Sequence, residues 1–232
     1  MLRHVGAQRS DRIDLELGAI LSTVAGALNA VGYQVAGVFS ANMTGNVSAL
    51  ADHAAHGDWT GSIAFAGLVV TFVTGAFCAA SLIHLGEAQH MRAVHAGVII
   101  LEAVLLIALW LWVRASGAPA GSAGLTTALS FLMGMQNATT TVISKARVRT
   151  THVSGTATDF GIEAAALFAG SEARRLARPM LRLHGLTILC FALGGIGGAL
   201  LYAGIGEWLF ALAALALLTA AVPEAVRAML AD

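Results

Sequence analysis

The chain has 232 residues, 57% hydrophobic and only 11% charged, with a formal net charge of +0 at pH 7. A soluble domain carries about 25% charged residues, so this composition belongs in lipid rather than in water. Zero net charge without a polybasic run argues against nucleic acid as a partner. The cysteines, Cys78 and Cys190, both sit in apolar stretches and give neither a disulfide framework nor a metal-ligand spacing.

Residues 1–16 are polar and mixed in charge, which reads as a cytoplasmic N-terminal segment rather than a cleavable signal. Crossing a bilayer takes about 20 apolar residues in a helix. Six segments meet or approach that: 17–39, 61–83, 94–113, 123–144, 185–203 and 206–222. Two further segments, 46–56 and 157–170, are helical in composition but too short or too polar to span, and are read as re-entrant or interfacial. Residues 224–232 form a cytoplasmic tail. With the N-terminus inside, every Lys and Arg except Arg114 falls on the cytoplasmic side, as the positive-inside rule asks. Trp59, Trp110, Trp112, Trp208 and Tyr202 then fall near the outer ends of spans, as an aromatic belt would. That topology predicts a multi-pass protein of the inner (plasma) membrane with both termini in the cytoplasm.

The chain also repeats itself. Leu21-Ser22, Gly26 and Asn29-Ala30 recur 108 residues later as Leu129-Ser130, Gly134 and Asn137-Ala138. The turn Thr44-Gly45-Asn46 recurs as Ser154-Gly155-Thr156. Phe72, Gly75, Ala80 and Leu82 match Phe191, Gly194, Ala199 and Leu201. Three spans per repeat is an odd number, so the second copy must be inverted. The expected fold is an all-α membrane protein of six transmembrane helices in an inverted 3+3 repeat, with two short re-entrant or interfacial helices. The first repeat would occupy 17–115 and the second 116–223.

Three motifs carry a family resemblance. Ala41-Asn42-Met43-Thr44-Gly45-Asn46, Gly134-Met135-Gln136-Asn137-Ala138, and Arg149 to Thr156 with Asp159 together resemble the YoaK family of bacterial inner-membrane proteins. Ser154 stands where that family's pattern is expected to carry Thr, and keeps the hydroxyl. The resemblance implies a polytopic membrane fold and names no solute.

Polar residues inside apolar segments are the candidate site. Asn29 and Asn137 each lie about half-way along a span, where an amide must find a partner or line a cavity. As interhelical glue such bonds are worth about 0.6 kcal/mol on average. Their repeat-equivalent placement favours a site equally well. Thr44, Gly45, Asn46, Ser154, Gly155 and Thr156 each precede a short helix, and Gln136 adjoins Asn137. Ser, Thr and Asn cap helix starts, and Thr156 followed by Asp159 has capping-box spacing. Two helix starts facing one another would favour an anionic or polar solute. Glu102, mid-span, and Asp159 are candidates for proton coupling. Asp159 and Glu163 could pair with Lys145, Arg147 or Arg149 as a cytoplasmic gate. Gly194, Gly195, Gly198 and Ala199 form a small-residue face for packing between repeats, which also allows a homodimer. The basic loops, Lys145 to Arg149 and Arg174 to Arg182, are expected at anionic lipid headgroups.

The composition and repeat favour a secondary transporter or channel for a small solute bound at the repeat interface. A non-transporting assembly or accessory protein is the alternative. A membrane-embedded enzyme is disfavoured because no nucleophile, base and orienting group fall together, and His152 lies too close to Ser154 in sequence. No metal set is complete at His53 and His56, no Gly-rich phosphate loop is present, and no cofactor is expected.

Overall fold

The computed structural model describes Leu2, residues 10–116 and residues 123–230. Among them are eight helices and no strand: α1 (Asp11–Ala36), α2 (Met43–Ala55), α3 (Trp59–Ala88), α4 (Val94–Ser116), α5 (Ala123–Ser144), α6 (Val153–Ala166), α7 (Ser171–Ile205) and α8 (Trp208–Met229).

Local chemistry explains the ends of α1. The Ser10 hydroxyl accepts the Ile13 N–H, and Asp11 and Asp14 place negative charge against the positive end of the helix dipole. Gly37 stops the helix at φ 69°, a left-handed conformation that costs glycine little, and its N–H closes on the Tyr33 carbonyl. Between those ends Leu17, Leu21, Val24, Leu28, Val31 and Val35 follow a three-four spacing, and all are buried. This stripe forms the middle of the core.

The outer helices reverse the soluble pattern. Ile63, Val70, Val73 and Phe77 on α3 are exposed, as are Leu189, Leu193, Ile196 and Leu200 on α7. Apolar surface on that scale needs an apolar surround. Five helices, α1, α3, α4, α7 and α8, are long and apolar enough to cross a membrane. The sequence reading had six. The difference is α5, with Thr126, Thr127, Ser130, Gln136, Asn137 and a run from Thr139 to Thr141. It can be polar because it packs against α1, α3 and α4. The Ser130 hydroxyl donates to the Leu68 carbonyl at 2.8 Å, and the Gln136 amide to the Leu21 carbonyl at 2.8 Å.

The first helix of each half packs on the third helix of the other: α1 on α7, and α5 on α3. Paired glycines make both crossings close. A Cβ on Gly26 would overlap the Phe191 carbonyl, and one on Gly194 the Thr23 carbonyl. A Cβ on Gly134 would overlap the Phe72 carbonyl, and one on Gly75 the Phe131 carbonyl. Gly198 likewise seats against Ala27. The small-residue face therefore serves the contact between halves within one chain. Helices α4 and α8 pack together, and the short helices lean on α3 and α7.

Several boundaries differ from the sequence reading. Residues 171–184, expected as a loop, form the first turns of α7, since Glu, Ala, Leu and Arg there are good helix formers. Helix α8 runs through Pro223 to Met229, so most of the expected tail is helical. The short helices begin at Met43 and Val153, three and four residues earlier than expected. The two Ser/Thr-Gly turns are therefore first helical turns rather than the residues before them.

Candidate functional site

After Gly37 the chain doubles back along α1. The Ala41 N–H donates to Asn29 Oδ1 at 2.9 Å, which pins the returning loop to the middle of the helix. Gly32 makes room: a Cβ there would press on the Val38 carbonyl and the Ser40 N–H. Asn42 then caps α2, its Oδ1 accepting the Gly45 N–H at 3.1 Å. The cap is thus Asn42, not the Thr44-Gly45-Asn46 turn.

The second half makes the same return with different chemistry. Lys145 and Ala146 turn the chain at φ 51° and 64°, and the helix starts after His152, which makes no side-chain cap bond. A Cβ on Gly155 would overlap the His152 ring, just as one on Gly45 would overlap the Asn42 amide. His152 and Asn42 fold over equivalent first turns. The Thr156–Asp159 capping box does not form, because Thr156 lies inside the helix and its hydroxyl donates to the His152 carbonyl at 2.9 Å.

Both helix starts open on one cavity of about 640 Å³. The first half contributes Asn29, Phe39, Ala41, Asn42, Met43, Thr44, Gly45, Ser48 and Phe72. The second half contributes Asn137, Thr151, His152, Val153, Ser154 and Phe191. These lining residues include matched pairs: Asn29 with Asn137, Asn42 with His152, Thr44 with Ser154, and Phe72 with Phe191.

Of the expected site residues, Asn29, Thr44, Gly45, Asn137 and Ser154 line this cavity together. Asn46, Gln136, Gly155 and Thr156 do not. Asn46 is buried, its amide donating to the Phe39 carbonyl at 3.3 Å. Gln136 is spent on Leu21, Gly155 lies beneath His152, and Thr156 closes its own helix turn. Glu102 is 1% exposed on α4, off the cavity wall, and neither carboxylate oxygen has a hydrogen-bond partner among the described residues. Asp159 is exposed on α6, also off the wall.

The lining holds no Asp, Glu, Lys or Arg. Its character is that of a hydrogen-bond donor. Asn29 and Asn42 have their carbonyl oxygens engaged by Ala41 and Gly45, which leaves the NH₂ groups available. Thr44, Thr151 and Ser154 add hydroxyls, and the first turn of α6, which has no side-chain cap bond, adds backbone N–H groups, whereas in α2 the Met43 and Gly45 N–H groups are already taken. The Asn137 oxygen is buried without a partner among the described residues. No hydrogen bond joins His152 to Ser154 or Thr44 among the described residues, so the wall shows no nucleophile held against a base.

The charged residues outside the cavity pair differently from the expected gate. Arg147 reaches Asp11 at 2.7 Å and the buried Asp14 at 2.8 Å, tying the α5–α6 loop to the start of α1. Glu163 pairs with His184 at 3.0 Å, joining α6 to α7. Neither contact involves Asp159. His53 is held by Asp58 at 2.8 Å and stacks on Phe65. Among the described residues no group of three or more His, Cys, Asp or Glu side chains could hold a metal ion. The Gly61 N–H and the His53 side chain hold the Asp58 carboxyl below its ordinary value.

Sequence reasoning passed over Asn42, His152, Phe72 and Phe191 as lining residues. The signal was present. Asn42 and His152 each stand two residues before the paired Ser/Thr, and both phenylalanines were visible as a repeat pair. What sequence does not show is that one phenylalanine can take a glycine at its carbonyl and offer its side chain to a cavity.

A family described as Protein of unknown function (DUF1275) matches residues 17–222 of the chain. No curated protein and no solved structure matches it.

Proposed function

The chain belongs to the DUF1275 family, whose description carries no activity, and from the geometry of its cavity we propose that it carries a small polar or anionic solute across a membrane. The observation behind this reading is that one cavity takes equivalent residues from both halves. Secondary transporters built from inverted repeats bind substrate at the repeat interface, often at helix starts within the membrane. In this reading α5 joins the five apolar helices as a sixth span, protected from lipid by its neighbours. The halves form an inverted 3+3 repeat, α2 and α6 are re-entrant, and both termini face the cytoplasm of a bacterial inner membrane, as in the YoaK resemblance. Rocking of one half against the other about the glycine crossings would expose the cavity alternately. Glu102, buried without a hydrogen-bond partner among the described residues, is the group through which a proton would couple to that movement.

A thermal-shift screen of small anions, amino acids, sugars and metal ions, on detergent-purified protein, tests the proposal. A solute of the proposed class should raise the melting temperature of wild type and fail to raise that of the Asn29→Ala/Asn137→Ala double variant. An equal shift in both proteins would place binding elsewhere. No shift for any compound, with both proteins folded, would transfer weight to the accessory-protein reading.

A further inference from the structure

A second groove, at the junction of α6 and α7, has a chemistry unlike that of the cavity. Arg174, Arg178 and Arg182 stand four residues apart on α7 and so form one stripe. They line a groove of about 650 Å³ with Leu167, Phe168 and Leu181. Arg174 is fixed at its root, its Nε donating to the Leu167 carbonyl at 2.8 Å. Arg175, off the stripe, is neutralised by a two-point contact with Glu172 at 3.1 and 2.7 Å. No carboxylate lies within ion-pair distance of Arg178 or Arg182 among the described residues. The groove therefore presents guanidinium groups without a counter-ion. Its apolar lining is Leu167, Phe168 and Leu181, of which Phe168 is 89% exposed.

The repeat supplies an internal comparison. The spacing that matches Phe72 with Phe191 puts Trp59 opposite Arg178 and Ile63 opposite Arg182. The first half builds the same helix crossing without these arginines, so the fold does not require them. A site that pairs several guanidinium groups with an open apolar rim fits a phosphate diester attached to acyl chains. Guanidinium binds phosphate oxygens in two-point geometry, and basic pockets at the cytoplasmic ends of spans hold anionic headgroups.

We propose that the groove between the α6–α7 connection and the first turns of α7 is a discrete binding site for one anionic phospholipid, its phosphate held by Arg178 and Arg182 beside Arg174. The proposal stands on the membrane reading alone and is independent of transport. It also divides the basic residues: Arg147 is spent on Asp11 and Asp14, whereas the stripe is available to lipid.

Native mass spectrometry of the detergent-solubilised protein, titrated with phosphatidylglycerol or phosphatidylcholine, tests it. Wild type should retain one tightly bound phosphatidylglycerol and no comparable phosphatidylcholine. Arg178→Gln/Arg182→Gln should weaken that binding by about tenfold or more. Lys145→Gln/Arg149→Gln, which removes two charges elsewhere on the expected cytoplasmic side, should leave it unchanged. Equal loss in the two double variants would show bulk electrostatic attraction and overturn the site. Displacement of the lipid by inorganic phosphate at matched concentration would overturn the assignment to a lipid. Circular dichroism confirms that each variant is folded before it is scored.

Discussion

The two halves agree where backbone meets backbone and differ where side chains carry charge. Gly26 with Gly194, and Gly134 with Gly75, build matching crossings of α1 on α7 and α5 on α3. The contact between short and third helices diverges. At the position where His53 stacks on Phe65, the second half places Glu163 against His184. Asp58 caps α3 with its side chain, whereas Gly170 offers α7 no side-chain cap. Asn29 is anchored to the Ala41 N–H, whereas the Asn137 oxygen has no partner among the described residues. The shared part is a scaffold, and the unshared part is where the two halves differ in charge and hydrogen bonding.

The largest expected effect tests the scaffold. Gly26→Ala and Gly134→Ala should each cost about 3 kcal/mol, because the added Cβ meets a carbonyl that cannot rotate away. Gly97→Ala, with open space around it, should instead gain up to about 1 kcal/mol. Unfolding in a detergent–denaturant titration measures both, and equal effects at all three positions would break the comparison.

Next comes the tie between halves. Removing a partner from a buried ion pair costs about 3–5 kcal/mol, but Arg147 is one-third exposed, so Arg147→Ala should cost about 2 kcal/mol. Arg149→Ala, exposed and off that contact, should be near neutral by the same titration.

A smaller effect separates the two asparagines. Asn29→Ala strands the buried Ala41 N–H and should cost about 1–2 kcal/mol. Asn137→Ala should cost less, since its oxygen has no partner among the described residues. Similar losses at both would break the distinction between an anchored and an unanchored asparagine.

The smallest effect is pH-dependent and confined to the first half. The Asp58 carboxyl lies below its ordinary value of 3.8, chiefly through the Gly61 N–H and then His53. A carboxyl depressed on folding stabilises above its ordinary value and loses that contribution as pH falls below it. Asp58→Asn should flatten the fall in melting temperature as pH drops below about 4, and an unchanged slope there would remove Asp58 from the account.

Much of this was legible in the sequence because the repeat printed it twice. The helices, the glycines of the crossings and the matched asparagines all followed from apolar length and internal identity. The sequence reading counted 123–144 as a span, but its polar residues leave it outside the five helices that are apolar enough to cross a membrane, and its packing against α1, α3 and α4 is tertiary information that hydropathy does not carry. The helix starts were misplaced because Asn42 and His152 lie outside the quoted Ser/Thr-Gly turns, and capping depends on which backbone N–H a side chain can reach. The pairing of Arg147 with α1 joins residues 136 positions apart, a distance at which local spacing carries no signal.

The central claim is that residues from both halves share one solute-accessible cavity. Cysteine accessibility tests it most directly: Thr44→Cys and Ser154→Cys, each in a Cys78→Ala/Cys190→Ala background, treated with a membrane-impermeant maleimide in opened membrane vesicles. Both cysteines should react, and Ile196→Cys on the apolar outer face of α7 should not. Folded protein in which Thr44→Cys and Ser154→Cys stay as unreactive as Ile196→Cys would contradict the account.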